Sequence, residues 1–338
     1  MEAQENNLGF ESRKSLYSAL ENIILRNLNT PAKAEIVGIT ALEKDLKHPN
    51  VNENSEIYTV TARISTADER APKDYTLKKY NQSSKELMAN EKYNLFLAEK
   101  LVPFTEYPFS KERKIRLFPK ILKDMDRDFD AKGIILTETL TEPTLYELSY
   151  EKNIFWDQIS IVIDPVVLFE ILAYRAKKSN DFSDRFADIN FENRMLRQKK
   201  VHPGHNNLRS LIDASEIVEG SRSEYLGGLL GHPFIFKKID GLPKRAYEGY
   251  LWRRTALKEK PIAELDIALY DIDSVLPYNE TYESFESGFY RGAAKSNAER
   301  ASILKNLKTA CDDEKKAKIE NEITELENLA IEQKSFID

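Results

Sequence analysis

The strand-like segments of this chain lie in its first 140 residues, and helix-like segments dominate the remainder. Alternation of apolar and polar residues predicts a strand at 57–64, and four more strands are predicted at 34–40, 74–80, 114–122 and 133–140. One helix, opened by a capping box at Ser83, is predicted between the third and fourth strands and ends near Lys100. This order differs from the strand–helix alternation of a doubly wound sheet. It predicts an α+β fold with a five-stranded antiparallel sheet and one inserted helix.

Helical periodicity marks both ends of the chain. Residues 12–29 carry apolar side chains at steps of four, which predicts an amphipathic helix before the first strand. Further helices are predicted at 163–178, 242–258 and 280–309. The predicted organisation is an N-terminal helix, a β lobe, a larger helical lobe and a charged C-terminal helix, with bounds 1–30, 31–140, 141–309 and 310–338.

The charged C-terminal helix also has an apolar face. Its apolar residues recur at steps of three or four: Ile319, Ile323, Leu326 and Leu329. Such a face could dock on the body of the protein or pair with a helix of another chain, and the second alternative would make the protein an oligomer.

Composition excludes several classes of protein. The chain has 338 residues and a net charge of -6, with basic residues scattered among acidic ones. A nucleic-acid-binding protein usually carries a basic stripe, and we therefore expect no nucleic-acid partner. The apolar runs stay below the roughly 18 residues that a membrane helix requires, and a polar N-terminus argues against a signal peptide. The single cysteine, Cys311, fits a reducing compartment, and we expect a cytoplasmic protein without a membrane partner.

Two lysines end the third predicted strand, and a glutamate lies on the apolar face of the next helix. The lysines are Lys78 and Lys79, and the glutamate is Glu91. A carboxylate on an apolar helical face needs a partner, because burying it unpaired is costly. A strand lysine is the obvious partner, and the sequence leaves open which of the two it is. The alternative is that Glu91 lies at the margin of the face and reaches water.

Residues 186–193, "FADINFEN", place Asp188 five positions before Asn193, and Asp213 follows an apolar pair twenty residues later. A carboxylate and a carboxamide around one hard cation, with phosphate oxygens completing the shell, is a usual way to hold magnesium. In this order the residues fit a Mg²⁺ site at Asn193 and Asp213, although each of them taken alone is more often structural than catalytic. Asp188 could then accept a proton from a substrate hydroxyl.

The order of these motifs resembles the protein-kinase-like fold, and within it the branch of aminoglycoside phosphotransferases and choline kinases. "YTLK" is similar to the family's lysine-bearing strand, "ANEKYNLF" to its helix glutamate, and "ILTETL" to the hinge strand whose backbone binds adenine. "FADINFEN" and "LIDASE" resemble the catalytic loop and the metal-binding segment. The resemblance covers residues 12–300 in outline and implies a two-lobed fold.

The resemblance also implies a role for each motif residue. Lys78 would neutralise the α- and β-phosphates of ATP, Glu91 would orient it, and Asp188 would position and deprotonate the acceptor. Adenine would bind the backbone of the hinge residues, which are Glu138, Thr139 and Leu140. The cofactors that the resemblance implies are ATP and Mg²⁺, the metal being held by Asn193 and Asp213. Because no Ala-Pro-Glu motif comes after the metal-binding segment, we expect a hydroxylated small molecule as acceptor rather than a protein.

Three departures from the family pattern support a second hypothesis. The family's histidine and its neighbour in the catalytic loop are replaced by Phe186 and Ala187, Ala214 stands where a bulky residue is common, and Gly38 is the single glycine of the predicted phosphate loop. Backbone amides cradle phosphates best when side chains are absent. The alternative is a weak or inactive pseudokinase that binds a nucleotide or a partner.

Overall fold

We describe the protein from a computed structural model. The residues it describes are 8–28, 31–42, 54–66, 70–101, 105–106, 114–115, 117–124, 128–140, 142–151, 153–178, 194–198, 201, 214–259, 278–309 and 311–337. They belong to two compact units. The N-terminal unit comprises Met1–Phe96 and Pro119–Thr141, and the C-terminal unit comprises Leu97–Phe118 and Glu142–Asp338.

The first part of the chain supplies most of the strands. Its elements, in chain order, are α1 (Arg13–Arg26), β1 (Lys33–Ala41), β2 (Ser55–Ser65), β3 (Arg70–Tyr80), α2 (Lys85–Leu101), β4 (Thr105–Glu106), β5 (Lys114–Ile115), α3 (Asp128–Ala131) and β6 (Ile134–Glu138). The hydroxyl of Ser12 accepts a hydrogen bond from the backbone of Ser15 and thereby caps α1. A 3₁₀ turn, Gln82–Ser84, leads into α2.

β1, β2, β3 and β6 form one antiparallel sheet in that order. The first three strands are a meander, and α2 is inserted in the chain between β3 and β6, as predicted. Lys78 of β3 pairs with Ile57 of β2 on one side and with Ile135 of β6 on the other. The α+β class and the positions of these four strands are therefore confirmed.

The prediction of a fifth sheet strand at residues 114–122 is wrong. Lys114–Ile115 pairs with β4 in a separate two-stranded ladder, and Ile121 makes a single bridge to Thr137 of β6. Pro119 lies between these two pieces, and proline has no backbone N–H to donate to a sheet. The apolar residues on both sides of Pro119 are buried, so their pattern records burial rather than a strand.

The core of the N-terminal unit lies on one face of the sheet. α1 contributes four buried residues to it, and β2 and β3 contribute alternate residues: Leu16, Leu20, Ile23 and Ile24 from the helix, and Tyr58, Val60, Ala62, Tyr75 and Leu77 from the strands. Because the side chains of a strand alternate between its two faces, Thr76, Lys78 and Tyr80 belong to the opposite face of β3.

The C-terminal unit is mainly helical. Its remaining elements, in chain order, are α4 (Leu145–Ser149), α5 (Trp156–Ile159), α6 (Ile163–Lys178), β7 (Arg194–Gln198), β8 (Ile217–Ser221), α7 (Arg222–Leu230), α8 (Pro233–Phe236), α9 (Leu242–Glu259), α10 (Tyr282–Lys308) and α11 (Asp313–Lys334). The helices predicted at 163–178, 242–258 and 280–309 are confirmed as α6, α9 and α10.

Helix α7 and the antiparallel hairpin β7–β8 were not expected from the sequence. α7 packs on α10 with the two backbones in close approach. A Cβ atom added to Gly227 would lie 1.9 Å from the carbonyl oxygen of Phe289, and one added to Gly292 would lie 1.9 Å from that of Glu224. Glycine is therefore required at both positions by packing, although it disfavours a helix in isolation.

The C-terminal helix α11 docks on the body of its own chain. Ile319, Ile323, Leu326 and Leu329 are buried, and α11 packs along α10. Docking, one of the two alternatives for this face, is thereby confirmed, and an oligomer built through this helix stays a prediction. Among the described helices, none combines the length and the hydropathy needed to cross a membrane.

Candidate functional site

The two lysines at the end of β3 have different partners. The Nζ atom of Lys78 lies 2.5 Å from Oε1 of Glu91 on α2. The Nζ atom of Lys79 donates instead to the backbone oxygen of Lys132, at 2.8 Å. The two-residue period of a strand places successive side chains on opposite faces. The predicted ion pair between a strand lysine and Glu91 is therefore confirmed, and its lysine is Lys78.

Glu91 is enclosed rather than solvated. Only 2% of its side chain is exposed, against 13% for Lys78, so the expectation that Glu91 could reach water is wrong. Its second carboxylate oxygen accepts a hydrogen bond from the hydroxyl of Tyr80. The carboxylate thus has a donor on each oxygen, which is the condition under which a charge can be buried without a large penalty.

Tyr80 was missed as a member of this site, although the sequence contained a signal for it. It lies two residues after Lys78 on β3, and side chains two positions apart share a face of a strand. Because Tyr80 and Lys78 both donate to Glu91, the carboxylate is held from two points of one strand. Glu91 in turn fixes the position of the Lys78 ammonium group.

The residues predicted to bind adenine lie at the end of β6, which is the neighbour of β3. The backbone N–H of Glu138 donates to the oxygen of Lys120 at 2.9 Å, and that of Thr139 donates to the oxygen of Asp74 at 3.4 Å. Of the three predicted residues, Leu140 is the one whose backbone N–H donates to no other described residue. A ligand that uses a backbone donor here would therefore use Leu140.

The sheet register sets the distance between the predicted adenine-binding residues and Lys78. Glu138 pairs with Tyr75, three residues before Lys78 on β3. At about 3.4 Å per residue, the two positions are separated by about 10 Å along the strand. This span is on the scale of an extended nucleotide, from its base to its phosphates.

The described residues of β1 do not have the backbone that a glycine-dependent phosphate-binding loop requires. Its register to β2 shifts between Ile36 and Gly38, and a Cβ atom added to Gly38 would meet nothing within 4 Å. The backbone there does not require glycine. The polar connection that follows β1, residues 43–53, lies outside the described residues.

The predicted catalytic aspartate, Asp188, and the predicted metal ligands, Asn193 and Asp213, also lie outside the described residues. β7 begins directly after Asn193, and the buried Ala214 directly follows Asp213. Within the described ranges, no cluster of three or more His, Cys, Asp or Glu side chains could hold a metal ion. The predicted Mg²⁺ site therefore stays a prediction.

A buried charge network lies in the C-terminal unit and was not expected from the sequence. Glu170 of α6 accepts hydrogen bonds from Arg222 of α7 at 2.5 Å, from Arg254 of α9 at 2.5 Å and from the hydroxyl of Tyr250. Burial pushes the pKa of the Glu170 carboxyl up, but the two guanidinium groups and Tyr250 outweigh burial and hold it below its usual value. The network joins three helices at one carboxylate.

Arg222 carries a large desolvation cost in this network, because its side chain is completely buried. Among the residues that the structure describes, its Nη1 and Nη2 atoms have no hydrogen-bond partner, and its guanidinium lies 5.3 Å from the ring centre of Tyr278. Unpaired buried donors are costly. Glu170 therefore supplies the charge compensation that keeps Arg222 in the core.

No protein-family model matches the chain, and no curated protein matches its sequence. The function is therefore inferred from the residues themselves and from their contacts.

Proposed function

We propose that this protein is an ATP- and Mg²⁺-dependent phosphotransferase that transfers the γ-phosphate to a hydroxyl group of a small molecule. In this proposal the N-terminal unit is the nucleotide-binding lobe of a protein-kinase-like fold, and the C-terminal unit is its helical lobe. The bound cofactor supplies the phosphoryl group, and the chain supplies alignment and charge.

The ion pair of Lys78 and Glu91 carries the proposal. A lysine on the third strand of an antiparallel meander, paired with a glutamate of the next helix, is the arrangement that protein kinases use to hold a lysine against phosphate oxygens. A simple structural ion pair would contribute little, since replacing a buried pair with apolar residues is often neutral or stabilising. The enclosed ion pair of Lys78 and Glu91 is better explained if the Lys78 ammonium group has a role in binding phosphate.

The remaining roles are distributed over the motif residues. Lys78 would contact the phosphates, and Leu140 would donate to the base. Asn193 and Asp213 would hold Mg²⁺, and Asp188 would position and deprotonate the acceptor hydroxyl. The missing Ala-Pro-Glu motif favours a small acceptor.

Phosphorus NMR of the reaction mixture tests this function directly. The full chain is incubated with ATP, Mg²⁺ and pools of hydroxylated compounds, and a phosphomonoester resonance that appears together with ADP identifies transfer. The expected result is transfer to at least one pool, abolished in Asp188→Asn and in Lys78→Met. Transfer that persists in both variants would contradict the assignment of the site.

A pseudokinase that binds nucleotide without turnover is the second candidate. Two observations favour it: the Gly38 backbone does not require glycine, and the N–H groups of Glu138 and Thr139 are used within the protein. ATP binding without any phosphoryl transfer, in a chain whose Asp188→Asn variant binds equally well, would select this candidate.

A further inference from the structure

The second lysine of β3, Lys79, opens onto a cleft that the proposed function does not use. The cleft lies within the N-terminal unit and has a volume of about 340 Å³. It is lined by Lys79, by Lys85 at the start of α2 and by Lys132 at the turn between α3 and β6. Lys78 points to the opposite face of β3, so neither it nor Glu91 lines the cleft, although Tyr80, which donates to Glu91, does.

The backbone around Gly133 fixes the shape of this cleft. Gly133 has a φ angle of +73°, and a Cβ atom there would lie 3.2 Å from the carbonyl oxygen of Tyr80. The carbonyl of Gly133 also accepts the backbone N–H of Tyr80 at 2.8 Å. The chain therefore passes close to the end of β3, and the carbonyl of Lys132 comes within reach of the Lys79 ammonium group. Lys79 is thus held by a backbone contact rather than by a carboxylate.

The charges of the cleft are not balanced. In the part of the chain that the structure describes, none of the three lysines forms an ion pair. Glu56 is the acidic residue of the lining, and one of its oxygens already accepts the hydroxyl of Tyr58 at 2.6 Å. Three lysines against one glutamate leave two positive charges, in a chain whose net charge is -6.

Lys79 feels both burial and the neighbouring charges. Burial lowers its pKa, Glu56 opposes this change and the neighbouring charge of Lys132 adds to it. A bound anion would offset both the burial and the repulsion. Ammonium groups that outnumber the acidic residues of one cleft are suited to phosphate, which Lys contacts as a point charge.

We propose that this cleft is a second binding site, specific for small soluble phosphate anions that carry at least two negative charges. Inorganic pyrophosphate represents this class. Lys79 and Lys132 contribute charge from the two sides of the Gly133 turn, and Lys85 contributes it from the first residue of α2, where the helix dipole adds to the attraction. The site is independent of the phosphotransferase proposal, since it shares no lysine with it.

Titration calorimetry of the full chain with sodium pyrophosphate tests the proposal, at an ionic strength of about 0.05 M to limit screening. The informative variant is Lys85→Gln/Lys132→Gln, which leaves the partly buried Lys79 in place. Its matched control is Lys14→Gln/Lys33→Gln, two exposed lysines of the same unit. Both double variants change the net charge equally, so the comparison separates a local site from general electrostatic attraction.

The expected result is a loss of affinity for pyrophosphate of about tenfold or more in the cleft variant, the scale of losing charge-assisted contacts. The control pair should change the affinity less than about twofold. Absence of binding at about 10 mM pyrophosphate, or equal losses in both double variants, would overturn the proposal. So would a loss confined to Lys78→Met, which would place the anion on the other face of β3.

Discussion

Replacing Glu91 with glutamine should destabilise the protein and also disable the candidate site. In the native protein the Glu91 carboxylate compensates the charge of Lys78, which is 13% exposed. Removing one member of a buried ion pair costs about 3–5 kcal/mol. Since Lys78 keeps some contact with water, and the amide oxygen of glutamine can still accept from Tyr80, we expect the lower end, a loss of about 3 kcal/mol in the free energy of unfolding.

A double-mutant cycle separates stability from function. Lys78→Met should cost a similar amount, because it leaves the Glu91 carboxylate buried with Tyr80 as its donor. In Lys78→Met/Glu91→Gln no charge is left uncompensated. The loss should therefore fall short of the sum of the two single losses by at least about 2 kcal/mol. Urea unfolding followed by far-ultraviolet circular dichroism measures all four proteins.

The double variant should recover much of the stability but not the affinity for ATP. That combination would show that the pair is retained for the role of its ammonium group. Additive losses would refute the coupling inferred from the 2.5 Å contact. Native affinity for ATP in the double variant would refute the functional role of Lys78.

Three further perturbations test the C-terminal unit. Burial, reinforced by the charges of Arg300 and Lys238, lowers the pKa of His232 well below 6.5. On acidification the unfolded chain therefore takes up a proton that the folded chain does not. The free energy of unfolding should fall as the pH drops below about 6.5, by up to about 1.4 kcal/mol per pH unit. Urea titrations at several pH values should show a shallower fall in His232→Asn, which keeps a side-chain cap for α8, and equal slopes would contradict the assignment. Glu170→Gln leaves two buried guanidinium groups without their carboxylate and should cost about 3–5 kcal/mol in urea unfolding, whereas a loss below about 1 kcal/mol would mean that the network is not desolvated. Removing residues 310–338 uncovers the face of α10 that packs on α11 and should abolish cooperative unfolding, seen by tryptophan fluorescence; a truncated chain that unfolds like the native one would contradict docking of α11.

Hydrophobic periodicity predicted the helices and strands that bury one face against a neighbouring element. The alternation in β2 and the four-residue steps of α1 both record burial on a single side, and the structure places both in the same core. The pairing of Glu91 was predictable for the same reason. A carboxylate among apolar residues must meet a cation, and the cation was close in sequence on β3.

The failures come from effects that the local pattern does not contain. The strand predicted at 114–122 has the right residue types, but Pro119 interrupts its hydrogen bonding. α7 was missed because Gly227 and Gly228 are typical of a loop, whereas Gly227 serves the approach to α10. Glu170 meets Arg222 and Arg254 over separations of 52 and 84 residues, which no periodicity could pair.

Calorimetric titration of ATP, with and without Mg²⁺, into the native chain and into Asp213→Ala tests the central claim most directly. This titration tests two parts of the account together: the nucleotide site at Lys78, which Glu91 holds, and the metal ligand predicted from the sequence. The account predicts that Mg²⁺ strengthens ATP binding to the native chain and has no such effect in the variant. Absence of ATP binding under either condition, or the same Mg²⁺ dependence in both proteins, would contradict it.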